Sequence, residues 1–334
     1  EKEYRLLKIA RDLLNRDDFG VTNDLRKLGL TSLLAMKMLA MASTYNINLK
    51  VGDLLKYRSI RKLLGNSMSL SCWVNKPEAG KPIVVFIHGV TNFNQSKAYI
   101  DALSQHYSVY QIENITDHYD VLFNGDDIEE VAEMYSTLIE TFLGDDTQIY
   151  AFTGHSFGGE LAYRTMLKWS EKTGQKPKLL MLDTRWSGMA KHLDLFTRLI
   201  DSLPEDILSS ESGENLKMQA KHSHVYAELA SKNELPAYDG CVIYERAMQA
   251  NVDLKVIKER LQQLLAEKGY DLSVIPEDLL QEFDDTQVID NSEFWREHTS
   301  SSDKFFCRQI DSSHNGMLSK EFVDSYVDDL TSKD

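Results

Sequence analysis

Cysteine is scarce in this 334-residue chain: Cys72, Cys241 and Cys307 are odd in number, far apart and without metal-ligand spacing. Such a set excludes a disulfide framework and gives no reason to expect a metal site. It fits a reducing, cytoplasmic compartment. Long apolar runs are missing too. None approaches the roughly 20 residues of a membrane-spanning helix, and no signal-peptide pattern is present. Positive charge is in deficit, with 37 Lys+Arg against 52 Asp+Glu and a net charge of −15. That balance argues against nucleic acid or an anionic membrane as a partner. Internal repeats and low-complexity tracts are also lacking. The chain starts without Met, in a helical pattern at Glu1-Lys2-Glu3-Tyr4, and so reads as a piece of a longer polypeptide.

What charge there is divides unevenly. Residues 1–66 hold 13 Lys+Arg and 7 Asp+Glu, and the remainder hold 24 and 45. The asymmetry suggests two units. Residues 1–65 read as a small all-α unit of four helices. Leu6, Leu7, Ala10, Leu13 and Leu14 recur at helical spacing, and a second helix starts near Ser32 with Leu34, Met38, Met41 and Tyr45 on one face. Shorter helices are predicted near 51–55 and 59–64. Residues 66–81, rich in Gly, Ser, Asn, Lys and Pro, read as a linker with an edge strand near 70–74.

From residue 82 to 334 the pattern changes. Ile83-Val84-Val85-Phe86-Ile87 is continuously apolar, as in a parallel strand buried on both faces. Further strands are predicted over 108–112, 148–152, 178–182, 242–244 and 305–310. Helices are predicted over 128–142 and 161–172 and through Phe322, Val323, Tyr326, Val327 and Leu330. Strands alternating with helices imply a mostly parallel, doubly wound α/β sheet. Two helical insertions interrupt it, at about 187–236 and about 251–290.

Between the predicted strand 148–152 and the following helix stands Gly154-His155-Ser156-Phe157-Gly158. This is the strand–turn–helix context of a G-x-S-x-G nucleophile elbow, in which glycines permit a turn too tight for side chains. Ser156 is therefore the candidate nucleophile. A serine hydroxyl needs a base, and the base needs an acid to orient it. In α/β-hydrolases the chain order is Ser, acid, His. Ser156, Asp183 and His314 supply that order. Asp183 ends a predicted strand, and His314 lies in the loop after the last one. Glu245, on the later strand, is a rival acid, and Asp311 lies close to the base. Among the other histidines, His88 ends a strand, His155 is inside the elbow, and His222 and His224 form an H-x-H without a third ligand nearby. An oxyanion hole needs two backbone N–H donors. Phe157, next after the nucleophile, offers one, and Val90 of His88-Gly89-Val90 the other.

These motifs also carry a resemblance. Residues 82–332 resemble the thioesterase domains that end nonribosomal peptide synthetases and related polyketide synthases. The matching residues are His88-Gly89-Val90, Gly154 to Gly159, Leu182-Asp183 and Ser313-His314. The resemblance implies an α/β-hydrolase fold, an acid at Asp183 rather than Glu245, and a helical lid at 187–236. The stretch 251–290 is longer than such domains usually have there. Residues 1–65 resemble the carrier domain that precedes such a thioesterase, through Leu25, Leu28-Gly29-Leu30 and Thr31-Ser32-Leu33. Leu30 and Thr31 depart from the usual peptidyl pattern, and Leu30 is closer to polyketide carriers.

The resemblance implies 4′-phosphopantetheine on Ser32 and transfer of a peptidyl or acyl thioester to Ser156, followed by hydrolysis or macrocyclisation. The implied partners are a phosphopantetheinyl transferase and upstream condensation and adenylation domains of the same polypeptide. A serine esterase with an unrelated helical module, and a non-enzymatic docking module, are the alternative readings.

Overall fold

A computed structural model describes residues 2–45, 47, 49, 58–64, 71–75, 77–89, 93–112, 128–184, 197–210, 212–214, 216–217, 220, 235–280 and 290–333. The first unit is helical. Helix α1 (Lys2–Leu14) packs on α2 (Ser32–Ser43) and on α3 (Ile60–Leu63). Leu6, Ile9, Ala10, Phe19, Leu25 and Leu63 fill the space between them. The helix expected near 51–55 lies outside the described residues.

Helix α2 corrects one expectation. Met41 and Tyr45 are 36% and 49% exposed rather than on the buried face. Leu33, Lys37 and Met41, four residues apart, form the solvent stripe, while Ala35, Met36, Met38, Leu39 and Ala42 are buried. Lys37 is the sole charge on α2, and a helix that is apolar nearly all round needs cover on more than one side. It has that cover. Besides α1, it packs on α5 (Ile128–Leu143) of the second unit, so one apolar cluster runs through both.

The second unit is a seven-stranded sheet in the order β1-β3-β2-β4-β5-β6-β7. Its strands are β1 (Ser71–Trp73), β2 (Ile83–Ile87), β3 (Ser108–Ile112), β4 (Ile149–His155), β5 (Lys178–Leu182), β6 (Val242–Ala247) and β7 (Phe305–Ile310). β1 runs antiparallel to β3, and all other pairs are parallel. Parallel neighbours need a crossover. Between β2 and β3 that crossover is α4 (Phe93–His106), a helix the sequence reading missed. Alternation sorts the faces. Val85 and Ile87 share a cluster with residues of α5 and of α6 (Phe157–Thr173), whereas Val84 and Phe86 share one with α4 and α9 (Lys320–Ser332). Helix α6 starts at Phe157, four residues before the expected 161.

Both insertions leave the sheet from its C-terminal edge, after β5 and after β6. Their described parts share a core separate from the two sheet cores. It joins Leu199, Ile200, Leu203, Ile207 and Leu208, around α7 (Glu205–Leu208), to Leu261 and Leu265 of α8 (Ala250–Ala266), with Ile275 and Leu279 beyond. Two segments distant in sequence thus make one helical unit. Leu265→Ala removes a fully buried side chain from this core, and such truncations cost about 2–5 kcal/mol. Amide hydrogen exchange is expected to accelerate across both 197–208 and 250–266 while the sheet stays protected. Acceleration confined to 250–266 would mean that the two segments are independent.

Candidate active site

Parallel register brings the ends of β4, β5, β6 and β7 to one edge. His155 pairs with Leu182, Leu182 with Glu245 and Ala247 with Ile310. Ser156, Asp183 and the loop holding His314 follow directly from those ends. Such an edge is where open α/β sheets assemble binding groups.

Ser156 sits between β4 and α6 at φ 57° and ψ −132°, a conformation that a non-glycine residue adopts at a cost. The backbone holds it there. Ser156 N–H donates to Leu182 C=O at 2.9 Å, and Gly159 N–H donates to Ser156 C=O at 3.0 Å. A Cβ at Gly154 would collide with the backbone of Gly158, and one at Gly158 would lie 2.5 Å from Ile87 O and 2.7 Å from Gly89 N. No side chain fits at either position. Phe157 is the first residue of α6, so its N–H lies at the electropositive end of a helix. Val90 lies outside the described residues.

Asp183 also has a positive φ, 41°. Its N–H donates to Glu245 C=O at 2.7 Å, and its Oδ1 accepts from Ala247 N–H at 3.0 Å. Its Oδ2 lies 2.6 Å from His314 Nδ1. Both side chains are largely buried. The neighbouring Thr184 carbonyl accepts from Trp295 Nε1 at 2.9 Å and from Tyr244 OH at 3.3 Å. These two buried aromatics, which the sequence reading did not single out, steady the turn behind Asp183. The His314 loop is tied down in turn: Met248 and Gln249 N–H both donate to Ser312 C=O.

The rivals are engaged elsewhere. Asp311 Oδ1 accepts from Gln249 Nε2 at 2.7 Å. Glu245, fully buried, accepts from Arg308 Nε at 2.8 Å, and Arg308 also meets Asp329 at 2.8 Å. Burial of His88 against Phe86 pushes its pKa down to about 4, so it is neutral near pH 7. His222 and His224 lie outside the described residues. Among the described residues no group of three or more His, Cys, Asp or Glu could hold a metal ion. No helix among them is long and apolar enough to cross a membrane.

In the first unit Ser32 opens α2. The capping bond is made by its neighbour: Thr31 Oγ1 accepts from Leu34 N–H at 3.3 Å. Thr31 and Leu33 on either side are exposed. With the cap supplied by Thr31 and with exposed neighbours, this end of α2 suits covalent attachment of a long arm.

The second unit is thus an α/β-hydrolase: a mostly parallel sheet with an elbow after β4 and an Asp–His pair at the same edge. Comparison with family models places it further. Residues 121–330 match the thioesterase domain model and residues 5–65 the phosphopantetheine attachment site model. The chain belongs to the thioesterase domain family, here joined to a carrier domain that takes phosphopantetheine. No curated protein matches it.

Among solved structures, holo-AB3403, a four-domain nonribosomal peptide synthetase bound to AMP and glycine, is 15% identical with a TM-score of 0.52. The match covers 98% of this chain and 26% of that one. The NocB thioesterase domain from the nocardicin cluster is 15% identical (TM-score 0.47), covering 78% of this chain and 97% of that. YbtT, a type II thioesterase of the yersiniabactin pathway, is 12% identical (TM-score 0.49), covering 79% and 97%.

Glu245 gives the protein a pH dependence. Burial raises its pKa from 4.5 to about 7, outweighing the attraction of Arg308. The folded state therefore holds this proton more tightly than the unfolded chain does. The resulting stabilisation is fully present below about pH 4.5 and is lost as pH rises to about 7, by about 3 kcal/mol. Urea titrations are expected to show Glu245→Gln gaining on the wild type across this window. Parallel curves from pH 4.5 to 8 would remove Glu245 as the cause.

Proposed function

We propose that this chain releases the finished product of an assembly-line synthetase. A peptidyl or acyl group carried by Ser32 passes to Ser156 and then leaves by hydrolysis or macrocyclisation. The observation that carries this reading is the 2.6 Å contact of Asp183 with His314 Nδ1, at the edge where Ser156 stands on its strained elbow. Bound 4′-phosphopantetheine supplies a thiol that holds the substrate as a thioester.

The chain's own residues do the rest. His314 Nε2 accepts the Ser156 proton, and Ser156 Oγ attacks the thioester carbonyl. The N–H groups of Phe157 and Val90 hold the oxyanion, a service for which each such donor is worth roughly 2.7–4 kcal/mol. The intermediate collapses to an ester on Ser156, and His314 returns the proton to the departing sulfur. Water, or an amine or hydroxyl of the product, is then deprotonated by His314 and attacks the ester; the acyl–Oγ bond breaks and His314 returns the proton to Ser156 Oγ. Asp183 keeps the imidazole proton on Nδ1 and stabilises the charged ring.

The same reading sets residues 1–65 as carrier, 66–81 as linker and 82–334 as thioesterase. The helical unit built from the two insertions serves as the lid, excluding water while a product nucleophile competes for the ester. Its partners are the phosphopantetheinyl transferase that modifies Ser32 and upstream condensation and adenylation domains of the same polypeptide. Its place is the cytoplasm.

Mass spectrometry of the loaded chain tests this. Ser156→Ala is expected to leave the thioester on Ser32 intact, because the acyl group has no acceptor. Unloading at the wild-type rate would refute the nucleophile. Asp183→Asn, at a position with positive φ that Asn tolerates, is expected to fold and to lose about 10⁴ in rate. A loss below about tenfold would move the acid to Glu245. Ser32→Ala is expected to take no mass from a phosphopantetheinyl transferase. Modification that persists would place the arm elsewhere.

A further inference from the structure

The elbow contains a second ring that the mechanism above leaves unused. His155 ends β4 and is only 2% exposed. Its Nε2 lies 2.8 Å from the backbone oxygen of His314. A carbonyl can only accept, so Nε2 carries a proton and donates. The same two residues also pack ring to ring, with centroids 4.3 Å apart and planes inclined by 35°. One residue thus grips both the backbone and the side chain of the base.

Its place in the chain gives this grip a consequence. His155 is bonded directly to Ser156, whereas His314 arrives on a loop from β7, more than 150 residues away. Asp183 fixes His314 at Nδ1, from the end of β5. Ser312, two residues before the base, is fixed by Met248 and Gln249 after β6. The His155 contacts run directly from the nucleophile's own turn to the base. A shift of the loop relative to the elbow must break the bond or slide one ring over the other.

We infer that His155 is a positioning residue that holds His314 in register with Ser156. The inference rests on the proposed roles of those two residues. It predicts that the rate, not substrate binding, depends on His155, because misplacing reacting groups by about 1 Å can cost on the order of 10² in rate.

The test uses the full chain. His155→Phe keeps a ring in the pocket and deletes the donor, and His155→Gln keeps a donor and deletes the ring. A fluorophosphonate probe counts competent Ser156 by the extent of labelling and reads base–nucleophile alignment by its rate. A small acyl-thioester substrate gives kcat and KM per labelled site. His155→Phe is expected to lower both kcat and the labelling rate by about 10- to 100-fold, with KM within about twofold and full final labelling. His155→Gln is expected to recover part of the loss.

Unchanged kcat per labelled site in His155→Phe would overturn the inference. So would a loss confined to the extent of labelling, since that marks a folding defect alone. Ser156→Ala separates the two levels. If it retains turnover, the proposed site itself is wrong. If it is inactive while His155→Phe is fully active, only the positioning role falls.

Discussion

The close approach of α6 to the end of β2 governs this structure. The first turn of α6 passes so near Ile87 and Gly89 that position 158 admits no side chain. This contact forces the chain to turn within a residue or two after β4, and the turn drives Ser156 into its costly backbone conformation. The sheet bears that strain because β4 is central, with β2 on one side and β5 on the other. An edge strand would relax by sliding. Here the register of two neighbours would have to slip as well, and a slip of one residue moves every side chain to the opposite face of the sheet, into the wrong core.

Polar groups are treated consistently around that frame. Arg164 of α6 is completely buried, yet Glu160 lies 3.0 Å away and Glu129 of α5 also reaches it. Glu129 bonds Lys168 too, at 2.9 Å. Removing Arg164 would leave the charge of Glu160, itself completely buried, uncompensated, which is the costly case. The network fixes how far α5 sits along α6, and α5 is also the helix on which α2 rests. A charge cluster below the elbow thereby helps to set where the carrier meets the hydrolase.

Much of this was legible in the sequence wherever local pattern and tertiary role agree. The apolar run 83–87, the glycines around Ser156 and the strand-ending Asp183 each announce themselves within a few residues. Helix α4 did not. Its buried positions include Ser96, Tyr99, Ile100 and Leu103 at helical spacing, but two of these look polar. Tyr99 is buried because its hydroxyl meets Thr153 Oγ1 at 2.7 Å, a partner 54 residues away. The phase of α2 was misread for a related reason. Spacing gives a period, but which stripe faces inward depends on α5, far along the chain. The common core of the two insertions was hidden likewise, since neither sequence names the other. The His155–His314 contact is a tertiary fact of the same kind.

Helix α2 serves both units through one continuous core. Ala35, Met36, Met38 and Ala42 close the carrier and also take part in the apolar cluster that continues through α5 into the hydrolase. A cut anywhere between the units would therefore open a wet, greasy seam on each fragment. Anyone recombining such synthetases would do better to transplant α2 and α5 as a matched pair than to splice at the intervening linker.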